Sequence, residues 1–548
     1  MNYKVDNNNS RINPYNFVRL GNGVVRSAVK YGDNTGVIRC RLKTETPLAM
    51  PDESYSRKTD HKETDFFRVG GKPVIPGSEL RGMVRSVYET LSDSCFSVIN
   101  DPVLTARSSY VRKPGVLRWE NGQWNLYKAT IEKNVGNVPG IVVREWYNTR
   151  KNKKIIHYFK EGKKYPVDDL DLSVKDYYDV LDIYRKNEKK KLLKEYIEKN
   201  KPEKDGKKYP VFYLEYQMDG MDGKKYVYLS PAQISRSVFR KKVPDLLGTY
   251  SFCNDTKNVC EACSLFGMID GRGSKSSAIA SRVRFTDAAA VGEIMMLPDQ
   301  RLQILSSPKL SSVEFYSHLD EKNRMNTLWT YDEKGLSLNG RKFYFHHNGD
   351  YSSKNKRNMN MTTELADKGS VFEFDVFFDR LTDNELARLV WTLALGENDD
   401  RSRHMYKLGH GKPLGLGSVK ITVSSVVRRF FDTETFEYRE ETVDTGEFFK
   451  SIPFDSNAGY FSDLMKITDF DYLNGNIVGY PYGEDGNGNK KTSCGTLTWF
   501  KANRNDGKMV KPNENCHVRY YLPRISDEKL TPEKLMLPAL ISSGGSKK

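Results

Sequence analysis

Apolar residues recur at helical spacing between Val74 and Ser92. Six of them share one face at i, i+3 and i+4 intervals: Leu80, Met83, Val84, Val87, Tyr88 and Leu91. Pro76 interrupts the preceding segment, and Ser78 is a residue type favoured at helix N-caps. The pattern predicts a helix that is capped by Ser78, ends near Ser92 and packs its apolar face against a core.

Two segments with strand-like patterns accompany this helix. The first runs from Val37 to Leu42, alternates apolar and basic residues, and ends at Thr46 and Pro47. The second, Val371 to Phe378, is dense in apolar and aromatic residues. Directly after it, Leu381–Gly396 has helical spacing, with Thr382 as the N-cap and Gly396 as the stop.

The order of these elements predicts an α+β fold. A strand and a helix are followed later by a second strand, a helix, a glycine loop and another strand. This order is typical of a ferredoxin-like, RNA-recognition-type antiparallel sheet backed by helices, here with large insertions. We predict a first part of the core at residues 1–107, an inserted lysine-rich domain at 108–229, the second part at 230–427, and a C-terminal extension at 428–548.

Other segments give simpler expectations. The polar start of the chain is predicted to be disordered, and the charged stretch Met50–Phe67 to be a long loop. Val174–Glu198 has the spacing of a surface helix, and Pro231 is predicted to begin a helix. Gly495–Ala502 is predicted to be a strand.

Composition adds a candidate partner. The 548 residues carry 87 Lys+Arg against 71 Asp+Glu, a formal net charge of +16 that attracts polyanions. Aromatic residues make up 12%, and the 32 tyrosines suit base stacking as well as core packing. No apolar stretch has the length of a membrane span, and the N-terminus lacks a signal core, which predicts a cytoplasmic protein without a membrane partner.

Cys253, Cys260 and Cys263 have the spacing C-x6-C-x2-C. The final pair is the tight knuckle that structural zinc uses, with sulfur ligands about 2.3 Å from the metal. The alternative is that these cysteines are small buried apolar residues. A catalytic zinc is not expected, since the HxE and HExxH motifs are absent. The fourth zinc ligand stays open among several candidates: His318, His346, His347, Cys494, Cys516 and His517.

Two basic segments could bind phosphate. Arg81 and Arg85 lie one turn apart near the predicted helix N-terminus, where Ser78 and free backbone N–H groups suit an anion. The alternative is an ordinary amphipathic helix with solvated arginines.

Late in the chain, a glycine-rich loop carries a histidine and a lysine: Gly409, His410, Gly411, Lys412, Gly415 and Gly417. Its glycines permit either close approach to RNA backbone or simply a tight turn.

Four segments resemble the RAMP superfamily, whose members form the RNA-binding backbone of type III CRISPR effector complexes. IPGSELRGMVR resembles its helix-opening signature, and GVIRCRLKTETPLAM its first strand with the exit from it. CEACSLFG followed by SRVRFTDA resembles the central segment, and GHGKPLGLGSVKI the glycine-rich loop. The resemblance implies a CRISPR-associated protein of antiviral defence that binds guide RNA, its complementary target RNA and other effector subunits in a ribonucleoprotein.

The same resemblance leaves open whether the protein is an enzyme. Family members that cut target RNA carry a catalytic aspartate in the loop before the signature helix, which implies Asp65 here, with Asp60 and His61 as rivals. A carboxylate there could hold Mg²⁺ or Mn²⁺, or orient the attacking 2′-hydroxyl. The alternatives are a purely structural RNA-binding subunit and, third, an endoribonuclease that processes guide RNA.

Overall fold

Asn34–Thr44 is the first strand of the central sheet, and alternating burial along it explains its place. Ile38, Cys40 and Leu42 are buried, whereas the intervening Arg39 and Arg41 are exposed on the other face.

The computed structural model describes residues 2–52, 61–99, 104–107, 112–133, 138–148, 153–185, 191–216, 225–233, 235–270, 277–305, 310–319, 330–333, 335–357, 359–399, 401–484, 495–505, 520–527 and 531–543.

The strand order identifies the fold. We call Asn34–Thr44 core strand 1, Val283–Phe285 with Ala288–Ala290 core strand 2, Val371–Leu381 core strand 3, and Ser418–Asp432 core strand 4. Core strand 1 lies between core strands 4 and 3, and core strand 2 pairs with the far side of core strand 3, all antiparallel. This 4-1-3-2 order with two helical crossovers confirms the predicted ferredoxin-like α+β core. The nine-stranded sheet is completed by Tyr406–Lys407, Glu437–Val443, Lys72–Ile75 and Arg68–Val69.

Two helices cover one face of this sheet. The signature helix, Gly77–Leu91, buries Leu80, Val84, Val87, Tyr88 and Leu91, as its spacing predicts. The second core helix is Asp383–Ala394, with Thr382 as its N-cap and a left-handed turn through Leu395 and Gly396 after it. Both predicted helices are therefore confirmed.

The capping of the two helices differs. Thr382 and Glu385 form a capping box, in which the Thr382 hydroxyl accepts a hydrogen bond from the Glu385 N–H at 3.2 Å. The signature helix has Pro76 as its N-cap, so the predicted Ser78 cap is wrong. Instead, the Gly77 N–H donates to the side chain of the distant Asp287 at 2.8 Å. A tertiary contact thus replaces the local cap.

A separate six-stranded antiparallel sheet occupies the middle of the chain. Its strand order is Ile141–Asn148, Lys153–Tyr165, Gln123–Glu132, Lys113–Glu120, Lys208–Tyr216 and Tyr226–Ser230. Two helices, Leu170–Arg185 and Lys191–Asn200, contribute to a hydrophobic cluster with this sheet. The single helix predicted for Val174–Glu198 is therefore described as two helices, with residues 186–190 outside the described part.

The described residues contain further strands and helices. The remaining strands are Asn2–Ile12, Tyr15–Val18, Leu48–Ala49, Lys62–Thr64, Thr105–Arg107, Arg236–Val238, Met268–Asp270, Ser277–Ile279, Met296–Arg301, Ser317–His318, Ser337–Leu338, Arg341–Tyr344, Met361–Ala366, Gly483–Glu484 and Met536–Ser543. The remaining α-helices are Val243–Leu247, Glu261–Phe266, Val313–Tyr316, Gly459–Thr468 and Gly495–Asn505. No helix in the described ranges is long and apolar enough to cross a membrane.

Besides the Ser78 cap, three local predictions are wrong. The chain start is not disordered, because Asn2–Ile12 pairs antiparallel with Met536–Ser543, a partner more than 500 residues away. Around Pro231 the chain bends instead of starting a helix, and the Ser230 hydroxyl donates to the Ala232 carbonyl at 2.6 Å. Gly495–Asn505 is a helix rather than a strand.

The burial pattern of this last helix gives the reason. Trp499, Ala502 and Asn503 are buried, which is the i, i+3, i+4 spacing of one helical face. The Trp499 indole N–H donates to the Pro538 carbonyl at 2.8 Å.

The predicted loop Met50–Phe67 also contains structure, since Lys62–Thr64 pairs in parallel with Met361–Ala366.

Candidate metal centre and RNA-binding elements

Four cysteines converge in the core, and all of them are buried. Their sulfur atoms lie within 4.8 Å of one another, and the group consists of Cys95, Cys253, Cys260 and Cys263. The Cys95 sulfur is 3.5 Å from that of Cys260, 3.6 Å from Cys263 and 3.8 Å from Cys253. Tetrahedral zinc, with bonds of about 2.3 Å, places its sulfur ligands about 3.8 Å apart. The tetrad is therefore close enough to bind a metal ion such as zinc.

Three parts of the fold deliver these side chains, and Cys253 comes from the segment between Gly248–Tyr250 and Glu261–Phe266. Cys95 lies just after the signature helix, which ends at Ser92. Cys260 is the N-cap of the cysteine helix, Glu261–Phe266, and Cys263 lies in its first turn. The Cys260 N–H donates to the Cys253 sulfur at 3.2 Å, and the Ala262 N–H donates to the Ser94 hydroxyl at 3.1 Å. Backbone contacts thus hold the ligands in place.

The thiols strongly influence one another's ionisation. Hydrogen bonds from Cys260 and Cys263 lower the pKa of the Cys253 thiol, whereas hydrogen bonds with Cys253 and Cys260 raise the pKa of Cys263. Four buried thiolates at this spacing would repel one another, so full ionisation requires a cation between them. The donor set and spacing fit a divalent metal with tetrahedral geometry.

The fourth member was not among the ligands considered from the sequence. Cys95 precedes Cys253 by 158 positions and belongs to no Cys-x2-Cys knuckle. Its place just after the signature helix is the one sequence signal by which it could have been found. His318, His346 and His347 are outside the tetrad, and His346 instead contacts the Ser418 hydroxyl and the Met405 carbonyl. The other candidates, Cys494, Cys516 and His517, lie outside the described residues.

Arg81 and Arg85 both contact the end of the cysteine helix. Arg81 donates to the Phe266 carbonyl, and Arg85 donates to the Gly267 carbonyl at 3.2 Å. Both guanidinium carbons lie 5.8 Å from the centre of the Phe266 ring. Burial, followed by the charge of Arg85, lowers the pKa of Arg81. Both arginines are therefore engaged within the protein, whereas Ser78 at the start of the helix is exposed.

The glycine-rich loop has the backbone that its composition predicts. Gly409, Gly411, Gly415 and Gly417 have φ angles of 73°, 78°, 92° and 74°, a region that favours glycine. A Cβ on Gly417 would lie 1.9 Å from the Leu408 carbonyl oxygen. The glycines are thus required by the turn itself.

Contacts join this loop to the exit from core strand 1. The His410 N–H donates to the Ala49 carbonyl at 2.9 Å, and the Gly417 N–H donates to the Pro47 carbonyl at the same distance. Lys407 donates from Nζ to the Gly415 and Leu416 carbonyls, each at 3.1 Å. The loop is held rigidly beside the strand exit.

Lys412 of the loop lies near Glu79, in the first turn of the signature helix. Burial lowers the pKa of Lys412, and the nearby Glu79 carboxylate opposes that shift. Glu79 is exposed in the first turn of the helix, next to Ser78. The structure therefore brings together the helix start, the loop and the strand exit, which are distant in sequence.

The predicted catalytic residues differ in their surroundings. Asp65 is exposed, and its carbonyl accepts a hydrogen bond from the Asp52 N–H at 3.0 Å. His61 is buried, with Nδ1 at 2.7 Å from the Arg357 carbonyl and Nε2 at 2.9 Å from the Thr362 hydroxyl. Both ring nitrogens are therefore occupied. Asp60 lies outside the described residues.

Comparisons with known proteins place this geometry in a family. One similar solved structure is Csc2 of Thermofilum pendens, with 14% identity, 66% of this chain and 87% of that chain covered, and a TM-score of 0.18. A chain of a Type IV-B CRISPR complex has 11% identity, with 71% of this chain and 90% of that chain covered and a TM-score of 0.22. A chain of the Type III-B Cmr-beta complex bound to cognate target RNA has 10% identity, with 71% of this chain and 97% of that chain covered and a TM-score of 0.19. A search of curated proteins finds no match. The model of the RAMP superfamily matches residues 41–420, well over half of the chain. The protein therefore belongs to the RAMP superfamily.

Proposed function

We propose that the protein binds CRISPR guide RNA as a backbone subunit of a type III effector complex. The observation that carries this proposal is the convergence of the signature-helix start, the glycine-rich loop and the exit from core strand 1. The family resemblance rests on these same segments, and folding assembles them at one place. Their meeting point offers the Ser78 hydroxyl and the Lys412 ammonium group.

Charge and backbone geometry favour RNA phosphate as the ligand of this site. Glycines allow a phosphodiester backbone to approach the loop closely. Lys412 lies where burial disfavours its charge, and a bound phosphate would offset that cost. The net charge of +16 adds a long-range attraction that does not depend on sequence.

The partners that follow are guide RNA, the complementary target RNA paired with it, and neighbouring effector subunits. The test is to express the full chain with its CRISPR array and neighbouring genes, purify it, and sequence the RNA that copurifies. The proposal expects spacer-containing guide RNA, released progressively by salt. Recovery of bulk cellular RNA in proportion to its abundance, or of no RNA, would contradict it.

We further propose that the four cysteines hold a structural zinc ion. Zinc would supply a redox-inactive tetrahedral link between the cysteine helix and the end of the signature helix. Cys95, Cys253, Cys260 and Cys263 fill all four positions, so no open position is left for a substrate. This arrangement suits a structural centre rather than a catalytic one.

A second candidate activity is cleavage of the paired target RNA. It rests on Asp65, which is exposed on the segment that leads into the signature helix. An exposed carboxylate can hold Mg²⁺ or Mn²⁺ at a distorted phosphodiester, or act as a general base. The alternative is a structural subunit whose complex cuts elsewhere. Processing of guide RNA is disfavoured, because His61 uses both ring nitrogens for contacts within the protein.

A further inference from the structure

Two arginines adjoin the cysteine tetrad, Arg85 partly buried and Arg341 buried. The Arg85 side chain is 14% exposed, and its Nη2 lies 3.7 Å from the Cys263 sulfur. The Arg341 side chain is 7% exposed and donates to the carbonyl of Ser94, the residue before Cys95. The Arg341 charge interacts with Glu89 and, more weakly, with Cys95, Asp93 and Cys260. The two arginines therefore approach different members of the tetrad.

Glu89 joins the two arginines. Arg85 Nε lies 2.8 Å from one Glu89 carboxylate oxygen, and Arg341 Nη1 lies 3.5 Å from the other. The Glu89 side chain is itself 9% exposed. One buried carboxylate thus orients both guanidinium groups. Arg341 is also held by the Phe96 ring, whose centre is 4.1 Å from its guanidinium carbon.

The charges explain why such an arrangement is needed. Four thiolates around one divalent cation leave a net charge of −2 inside the core, which is costly in a medium of low dielectric constant. Two arginines bring +2, and Glu89 returns −1 while fixing their geometry. Groups that contact metal ligands in this way commonly change metal affinity by about 10- to 100-fold when removed.

We propose that Arg85 and Arg341 are positioning residues of the metal centre, which stabilise its thiolate ligands by charge and, for Arg85, by an N–H···S hydrogen bond. This inference rests on the proposed zinc centre. It assigns Arg85, a residue of the family signature, to metal retention as its main role. Ser78 and Lys412 remain the proposed phosphate contacts of this region.

Arg81 provides a matched control. It lies one turn from Arg85 on the same helix, contacts the same Phe266 ring and carries the same charge, but its contact is with the Phe266 carbonyl. The experiment compares wild type, Arg85→Gln, Arg85→Lys, Arg341→Gln and Arg81→Gln at one pH. Zn²⁺ affinity is measured by competition with a chromophoric chelator, and Co²⁺-substituted protein is examined by its sulfur-to-cobalt charge-transfer absorption.

Arg85→Gln should weaken Zn²⁺ binding by about 10-fold or more and shift the charge-transfer band, because the hydrogen bond to sulfur is lost. Arg85→Lys keeps the charge and should recover part of the affinity, whereas Arg81→Gln should stay close to wild type. Circular dichroism checks that each variant folds. If Arg341→Gln does not fold, the Zn²⁺ affinity of Arg85→Gln relative to wild type tests the proposal.

The outcomes separate this inference from the metal centre itself. A wild-type protein that binds no Zn²⁺ would overturn both. Zinc binding by wild type with equal affinity in Arg85→Gln would overturn the role of Arg85 and leave the metal centre standing. An equal loss in Arg81→Gln and Arg85→Gln would also overturn it, since helix packing would then explain the effect.

Discussion

The sulfur atoms of Cys95 and Cys263 lie 3.6 Å apart, although 168 positions separate the two residues. Cys95 follows the signature helix, and Cys263 lies in the cysteine helix that packs beside it. A metal ion bound there would fasten together two segments that the family resemblance had identified separately. Metal occupancy and the position of the signature helix are therefore expected to be coupled.

Cys95→Ser should remove the bound metal. The purified wild-type protein is expected to carry about one zinc per chain, and loss of one of four thiolates should release it and lower the unfolding temperature. The measurement is zinc content by mass spectrometry together with thermal unfolding. Cys40→Ser is the control, because Cys40 is buried in core strand 1 outside the tetrad and should keep its zinc. Full zinc content in Cys95→Ser would show that the tetrad is not the site.

Lys412→Ala should weaken RNA binding without changing sequence preference. Removing one phosphate contact reduces the slope of log affinity against log salt by roughly one charge. Binding is measured by filter retention at several salt concentrations. Lys160→Ala removes the same charge from an exposed position on the six-stranded sheet and serves as the control. A changed sequence preference with an unchanged salt slope would argue against a phosphate contact.

Asp65→Ala tests the enzymatic alternative. If Asp65 is the general base or metal holder, its loss should slow target cleavage by at least about 100-fold and leave RNA affinity nearly intact. Assembled complexes are compared on labelled complementary RNA with Mg²⁺, with Mn²⁺ and with chelator. Equal cleavage by both would exclude Asp65 and direct attention to Asp60. No cleavage by either would leave the chain a structural subunit.

Lys407 should make stability depend on pH. Burial lowers the pKa of Lys407 to about 7, whereas in the unfolded chain it returns to about 10.4. Between these values the unfolded chain binds a proton that the folded protein does not, so the free energy of unfolding rises with pH. The contribution is at most about 1.4 kcal/mol per pH unit.

Lys407→Met should therefore lack this rise. Urea unfolding of both proteins at pH 7.5, 8.5 and 9.5 measures the difference between their free energies of unfolding. Groups other than Lys407 titrate in both proteins, so their contributions cancel in this difference. The wild-type protein should gain stability relative to Lys407→Met as the pH increases. A constant difference across this range would mean that Lys407 titrates normally in the folded protein.

Thr382→Ala should destabilise the second core helix. It removes the hydroxyl that accepts the Glu385 N–H, and the loss of such a cap costs about 1 kcal/mol. Denaturant unfolding followed by circular dichroism measures the change. Thr433→Ala, in an exposed turn, should stay within about 0.5 kcal/mol of wild type. Equal effects of the two substitutions would refute the capping contribution.

The sequence by itself determined the elements whose signals are local. The helical spacing of Leu80 to Leu91, the alternation around Cys40 and the N-cap at Thr382 all depend on neighbours within a few positions. These signals were sufficient for the ferredoxin-like core and for three of the four cysteines. The family resemblance supplied the identity of the signature and glycine-loop segments.

Only the tertiary structure decided the features that depend on distant partners. Cys95 became the fourth member of the tetrad because helix packing brings it to Cys263, and no spacing rule connects positions so far apart. Asp287 caps the signature helix in place of Ser78. Asn2–Ile12 becomes a strand because Met536–Ser543 offers an edge with unpaired backbone groups. In each case the deciding contact joins segments whose proximity exists only after folding.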